Sequence, residues 1–310
     1  MGNYGAVDCG TLSTRLLIAN PDGEPIKRLT RLTGLGRGVD ATRELRADSI
    51  ERVLSVLREY RELMDAHGVS TARMVGTSAL RDATNRGSFS RAAEDVVGTP
   101  LCLLSGQEEA ALSFLGATAE LDAGAGPWLV ADIGGGSTEL VVGPANPGAR
   151  SLDLGCVRVT ERFLHDDPPT KDQLVQASSW LQEQFRHVEP DVPGLRSART
   201  LVGLAGTVCA LACYDLGLES CDHDAVHHYR LSRPAAERAL AVFASRPGAE
   251  RALLPGIEPA RAPVIVGGSL VLVTLMQHFG FAECLVSESD ILDGLIITLI
   301  RLDKGPTLRK

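Results

Sequence analysis

The chain has 310 residues, enough for two domains of ordinary size, and its 44% hydrophobic content is ample for two cores. A formal charge of -8 and a pI near 5.4 argue against broad binding to nucleic acid or anionic membranes, so any polyanionic ligand must meet a local basic patch. No positive-then-apolar leader opens the sequence, Ala6 stands where a myristoylation motif wants Ser or Thr, and the apolar stretch 295–302 is broken by Thr298 and Arg301; together these predict a cytoplasmic protein with no membrane partner.

The first element is an apolar strand running into Asp8-Cys9-Gly10-Thr11-Leu12-Ser13-Thr14 and out into a second apolar strand to Ile18. A third strand is expected over 25–33, rich in Lys27, Arg28 and Arg31, followed by the glycine-rich loop 34–38. Ile50, Val53, Leu54, Leu57, Tyr60, Leu63 and Met64 recur at helical spacing, which predicts an amphipathic helix over 48–67 closed by Gly68. A buried strand over 72–77 then delivers Arg81 just past its end, where parallel sheets place ligand contacts. A helix over 89–96 and a strand over 101–104 lead to Ser105-Gly106-Gln107-Glu108-Glu109-Ala110, which opens a helix lasting to about residue 121. Two carboxylates in a first helical turn are favoured by the helix dipole whatever else they do.

Past the glycine-rich joint 124–126, the sequence repeats its opening. Leu129 to Asp132 is an apolar strand, Gly134-Gly135-Gly136 a turn without Cβ atoms, and Ser137-Thr138-Glu139 the start of another apolar strand. Such a turn lets successive backbone N–H groups point at one anion, with two hydroxyls beside them. Asp132 and Glu139 flank it where a divalent cation would bridge them to a phosphate. One constant shift lays Asp8 on Asp132, Gly10 on Gly134, Ser13 on Ser137, Thr14 on Thr138 and Leu16 on Leu140. That duplication predicts two similar domains, 1–124 and 125–294, facing each other across a cleft with their phosphate loops opposed.

In the second half, strands are expected over 128–133, 138–143 and 149–154, and helices from 155 and over 171–185. Ala205-Gly206-Thr207 forms a third small-residue turn after a strand, where backbone can approach a phosphate. Cys221-Asp222-His223-Asp224-Ala225-Val226-His227-His228 invites a metal reading, but it runs straight into a strand-like segment whose side chains alternate faces, so convergence of the ligands is not expected. The seven cysteines are scattered without a C-x-x-C pair and read as reduced, buried and small. A long apolar helix over 262–279, a last strand at 284–286 and a terminal helix over 291–302 complete the chain. The tail 295–310 is expected to pack back on the first domain.

The blocks Asp8-x-Gly10-x-x-Ser13, Gly76-Thr77-x-x-Leu80-Arg81, Ser105-Gly106-x-Glu108-Glu109-Ala110, Asp132 to Glu139, Gly155-Cys156-Val157-Arg158, Ala205-Gly206-Thr207, Gly267-Gly268 and Ser287-Glu288 are collinear over nearly the whole chain. In them the sequence resembles the exopolyphosphatase and guanosine pentaphosphate phosphatase family. The resemblance implies an α/β fold of two actin-like, ribonuclease H-like domains with mixed five-stranded sheets, and a homodimer. It implies release of terminal orthophosphate from inorganic polyphosphate, or of a terminal phosphate from guanosine pentaphosphate, by attack of water with Mg2+ present, Mn2+ being the alternative. By the same resemblance Glu109 is the catalytic base and Arg81 neutralises the scissile phosphoryl group. Gly10, Thr11, Ser13, Gly134, Gly135, Gly136, Ser137, Thr138 and Gly206 bind phosphate, and Asp132, Glu139 and Asp8 hold the metal. One departure is Leu12, where the family carries Asn. A lost hydrogen bond to a charged partner is worth about 1.5 to 3 kcal/mol, which implies a retuned site. The rival readings are an ATP-dependent small-molecule kinase of the same fold and an alarmone-binding regulatory module with little turnover.

Overall fold

The computed structural model describes residues 2–143 and 148–304; the last residues of the expected terminal segment, 305–310, lie outside them. The chain divides into two compact units, one taking in residues up to Gly116 together with those from Ile291 onward, the other Ala117–Asp290.

In the first unit β1 (Asn3–Cys9), β2 (Ser13–Ala19) and β3 (Pro25–Leu32) form an antiparallel meander. α1 (Val39–Thr42) and α2 (Ala47–Ala66) follow, and Gly68 turns the chain at φ 63° into β4 (Val69–Gly76), which lies parallel to β1. Then come α3 (Ser78–Asp82), α4 (Arg86–Val97), β5 (Leu101–Leu103), parallel to β4, and α5 (Gly106–Thr118). The strand order is β3-β2-β1-β4-β5. Alternation along β1 feeds two cores: Val7 and Cys9 join Leu54, Leu57 and Phe89 on one face, while Tyr4 and Ala6 meet Ile291, Leu295 and Leu299 of the closing helix on the other. Arg28–Asp293 (2.6 Å) and Tyr4 Oη–Asp303 (2.8 Å) fasten that helix, and Gly294 sits so close to Leu112 O that no Cβ fits.

The second unit repeats the plan. β6 (Trp128–Ile133), β7 (Thr138–Gly143) and β8 (Gly148–Leu152) form the meander, followed by α6 (Cys156–Phe163), α7 (Lys171–Val188), β9 (Thr200–Leu204), α8 (Ala205–Asp215), α9 (His223–Val226), β10 (Arg230–Ser232), α10 (Arg233–Ala244), α11 (Gly248–Arg251), α12 (Ile265–Phe279), β11 (Glu283–Val286) and α13 (Ile291–Asp303), the closing helix of the first unit. The order β10-β11-β9-β6-β7-β8 has β9 parallel to β6 and to β11, so β8-β7-β6-β9-β11 copies the first sheet strand for strand. This duplicated order is the α/β, actin-like fold. The sheet has six strands rather than five because the short β10 adds antiparallel to β11. Residues 117–127 belong to this unit through their hydrogen bonds: Ala125 O accepts from Thr200 Oγ1, and Pro127 O accepts from Arg199 N. The glycine-rich joint at 124–126 therefore lies inside the second unit.

Two further differences concern the cysteines and the histidines. Cys213 and Cys221 form a disulfide, Cα to Cα 5.5 Å, closing the loop between α8 and α9; the other five cysteines are free, as expected, but only four are buried, Cys102 on the edge strand β5 being exposed. His227 and His228 do come together, with Glu120, because a positive φ at His228 (64°) interrupts the alternation assumed from the sequence. Among the described residues no helix is long and apolar enough to cross a membrane.

Candidate active site

The glycine turn of the second unit is shaped from behind by α6. Gly134 N donates to Ser137 O (3.0 Å) to close the hairpin. The turn's carbonyls then receive the first N–H groups of the helix: Cys156 N to Gly134 O (2.9 Å), Val157 N and Arg158 N to Gly135 O (2.9 and 3.3 Å). The buried Arg158 adds Nε to Gly136 O at 2.9 Å. With every carbonyl turned toward α6 and Arg158, the peptide planes are fixed, and the N–H groups of Gly135 and Gly136 have no acceptor among the described residues. A preset row of donors of this kind is what an anion needs. Gly155 makes the approach possible, since a Cβ there would lie 2.5 Å from Gly135 O.

Asp132 and Glu139 are directly paired across β6 and β7, so their side chains share one face, and both are buried. Glu139 also accepts from Ser151 Oγ at 2.7 Å. Two adjacent buried carboxylates offer an all-oxygen donor set of the sort that suits Mg2+ or Mn2+. Thr138 behaves differently from its sequence expectation: it is fully buried, and its hydroxyl donates to Leu154 O at 2.8 Å, so it fastens the β8–α6 connection. Ser137 is buried at the turn.

The first unit's turn is the same hairpin. Gly10 N donates to Ser13 O at 2.9 Å, and Asp8 is paired with Arg15 as Asp132 is with Glu139. The exchange of Glu139 for Arg15 changes the chemistry. Arg15 Nε and Nη2 both reach Asp8 Oδ2, at 3.0 and 2.6 Å, so this acid already faces a fixed cation. Thr11 Oγ1 accepts from Ala79 N at 3.2 Å, and Thr11 O and Leu12 O accept from Gly36 N (2.8 Å) and Gly34 N (2.8 Å), which anchors the turn to the following loop. Leu12 is half-buried outside the apolar cores, and Ser13 is half-buried beside it.

The paired acids of α5 separate. Glu108 reaches back to Ser105, accepting from its N (2.8 Å) and Oγ (2.7 Å), while Glu108 N donates to Ser105 Oγ at 3.3 Å: a reciprocal helix cap. The Ser105 amide, then its hydroxyl, holds the Glu108 carboxyl below its ordinary value. Glu109 is 8% exposed and accepts from Arg81 Nη1 at 2.5 Å, the same nitrogen donating to Leu104 O at 3.1 Å.

Gly206 lies in the first turn of α8, whose first residue, Ala205, has φ 70°. A Cβ on Gly206 would lie 2.3 Å from the guanidinium of Arg261, a residue 8% exposed whose guanidinium makes no hydrogen bond or ion pair among the described residues. Arg261 therefore caps a helix N-terminus with a second positive charge.

A family model described as the Ppx/GppA phosphatase family matches residues 18–302. The chain belongs to the Ppx/GppA phosphatase family. It is 41% identical over 314 aligned residues to exopolyphosphatase 2 of Mycobacterium tuberculosis, covering 95% of this chain and 97% of that protein. Among solved structures it is similar to an exopolyphosphatase-like protein (34% identity, TM-score 0.92, 97% and 99% of the two chains) and to the Aquifex aeolicus PPX-GPPA enzyme (30%, TM-score 0.79, 96% and 99%). For this Ppx/GppA chain the motifs quoted from the sequence cover the turns and the Arg81–Glu109 pair. Arg158 lay within a quoted block without a role, and Arg261 lay in none. Neither guanidinium has a local sequence signal, since each meets its glycine only through tertiary packing.

Proposed function

We propose that the chain is an exopolyphosphatase that releases terminal orthophosphate from inorganic polyphosphate by attack of water. The division of labour on α5 carries the reading: Glu108 caps the helix, which leaves its neighbour Glu109 held by Arg81 and available as a base. A carboxylate so placed orients the attacking water and takes its proton as the bond to phosphorus forms. Arg81 steadies Glu109 and meets negative charge on the phosphoryl oxygens. The Gly134–Gly136 turn, with Ser137, binds the anion through preset N–H groups, and Gly10 and Ser13 provide the related turn of the first unit. Most of the rate enhancement in such chemistry is positioning and charge stabilisation. Asp132 and Glu139 would hold Mg2+ or Mn2+, which supplies charge neutralisation to the phosphate oxygens when bound. Guanosine pentaphosphate carries a terminal phosphoanhydride of the same kind and belongs to the same substrate class.

The test is Glu109→Gln. Steady-state phosphate release should fall by about 10² to 10⁴ with KM for polyphosphate roughly kept. Unchanged turnover would take Glu109 out of the reaction.

A further inference from the structure

We propose that Glu120, His227 and His228 form a site for a divalent transition-metal ion, chemically unlike the oxygen-only pair at the glycine turn. The three residues come from the segment after α5 and from the end of α9, all within the second unit. One ligating atom from each lies within 4.8 Å of the others, and His227 Nε2 is 3.2 Å from Glu120 Oε2.

His228 carries two features that bear on a ligand. Its φ is 64°, a left-handed conformation that residues with a Cβ adopt at a cost, and its Nε2 is buried with no hydrogen-bond partner among the described residues. The backbone holds it there: His228 N donates to Val286 O at 2.7 Å, and His227 N to His223 O at 2.8 Å. Strain and an orphaned nitrogen on one residue, beside a second imidazole and a carboxylate, are what a ligand site looks like before its ion arrives.

His227 shows what the ion must displace. Its Nδ1 accepts from the Glu288 amide at 3.1 Å, so the ring proton sits on Nε2, facing Glu120. Its ring lies between those of His223 (5.4 Å between centroids) and His228 (3.8 Å). An ion bound at Nε2 takes the place of that proton, and the ring keeps its single proton by carrying it on Nδ1. The hydrogen bond from Glu288 is then given up, and the stacked rings of His227 and His228 turn so that their lone pairs converge. Ion and Glu288 amide thus compete for one imidazole, and the orphaned His228 nitrogen gains a partner when the ion wins. Two imidazoles and a carboxylate favour Zn2+-like ions over Mg2+, and three protein ligands leave a position for water. Glu120 is exposed, which gives the ion a route from solvent.

The experiment is a metal titration of the full chain, stripped beforehand, using Zn2+ against a chromophoric chelator and Co2+ followed by visible absorption. Wild type is compared with Glu120→Gln, an exposed position, and with His228→Asn, which tolerates the left-handed backbone. Wild type should bind one equivalent that each variant binds at least about tenfold more weakly, and Zn2+ should shift the Glu288 amide resonance in wild type alone. Unchanged affinity in either variant, an unmoved Glu288 amide, or a Co2+ spectrum identical in wild type and both variants overturns the proposal. No polyphosphate enters these measurements, so they stand or fall apart from the proposed hydrolysis.

Discussion

Arg81 Nη1 donates at once to Glu109 Oε2, at 2.5 Å, and to the backbone carbonyl of Leu104, at 3.1 Å. One guanidinium nitrogen therefore ties the acid on α5 to the end of β5, and the position of the carboxylate depends on the strand end as much as on its own helix. Lysine can serve two acceptors from its one ammonium, but it then has no further nitrogen to offer a phosphoryl oxygen, as the rest of the Arg81 guanidinium does. Residues that act as one unit lose activity non-additively. Arg81→Lys and Glu109→Gln should each lower kcat by about 10² or more, and the double variant should fall no more than about tenfold below the worse single one. Phosphate-release kinetics on the four proteins check this; losses that multiply would mean that the two side chains act separately.

Glu108 should behave as a cap and nothing more. Glu108→Gln is expected to keep wild-type turnover and to melt at a lower temperature near neutral pH. Because Ser105 holds the Glu108 carboxyl below its ordinary value, the folded state favours the ionised form. Its contribution is fully present above the unfolded carboxylate pKa of about 4.3 and is lost as pH falls through the lower folded value. The melting-temperature gap between wild type and Glu108→Gln should therefore close on acidification below about pH 4. Thermal melts across that range measure it, and a gap that widens in acid would contradict the cap.

The contrast between Glu108 and Glu109 marks where the sequence stops being informative. Strand, glycine turn and strand are local patterns, so both copies were legible from Asp8 to Ser13 and from Asp132 to Ser137. Neighbouring helical residues point about 100° apart, so only one of two adjacent acids can reach Ser105, and which one depends on where the helix begins. The Cys213–Cys221 disulfide has no spacing signature, and although the segment after His228 reads as strand-like, its place at the edge of the second sheet is set by pairing with β11, a long-range contact. The histidine convergence turned on a single backbone angle at His228. Helix α10 was missed for a different reason: Ser232, whose Oγ accepts from Ala235 N, and Pro234 gave a local start signal that went unread.

Two glycines separate steric damage to the fold from damage to the ligand site. A Cβ at Gly155 would meet Gly135 O at 2.5 Å, backbone that α6 already fixes, so Gly155→Ala must push the turn out of shape. Overpacking of this kind costs about 1 to 3 kcal/mol, and both melting temperature and activity should fall. At Gly206 the obstructing group is the end of a side chain, the Arg261 guanidinium at 2.3 Å. Gly206→Ala should displace that arginine, raise KM for polyphosphate, and leave the melting temperature closer to wild type than Gly155→Ala does. If the two variants lose stability equally, Arg261 is a packing residue.

The two hairpins also predict different responses to metal removal. In the second, Asp132 stands beside Glu139, two buried carboxylates whose oxygens together suit a hard divalent cation. In the first, Asp8 stands beside Arg15, and the neutralising charge is built into the protein. Exhaustive chelation should abolish phosphate release, and added Mg2+ or Mn2+ should restore it. Asp132→Asn and Glu139→Gln should each raise the metal concentration for half-maximal activity by about tenfold or more, as loss of a charged oxygen ligand weakens a hard-cation site. Asp8→Asn should leave that concentration near the wild-type value, because the charge it removes is one that Arg15 already balances. Metal titrations of activity in the four proteins decide the matter: an Asp8→Asn shift as large as that of Asp132→Asn would place a cation at the first turn as well, in competition with Arg15.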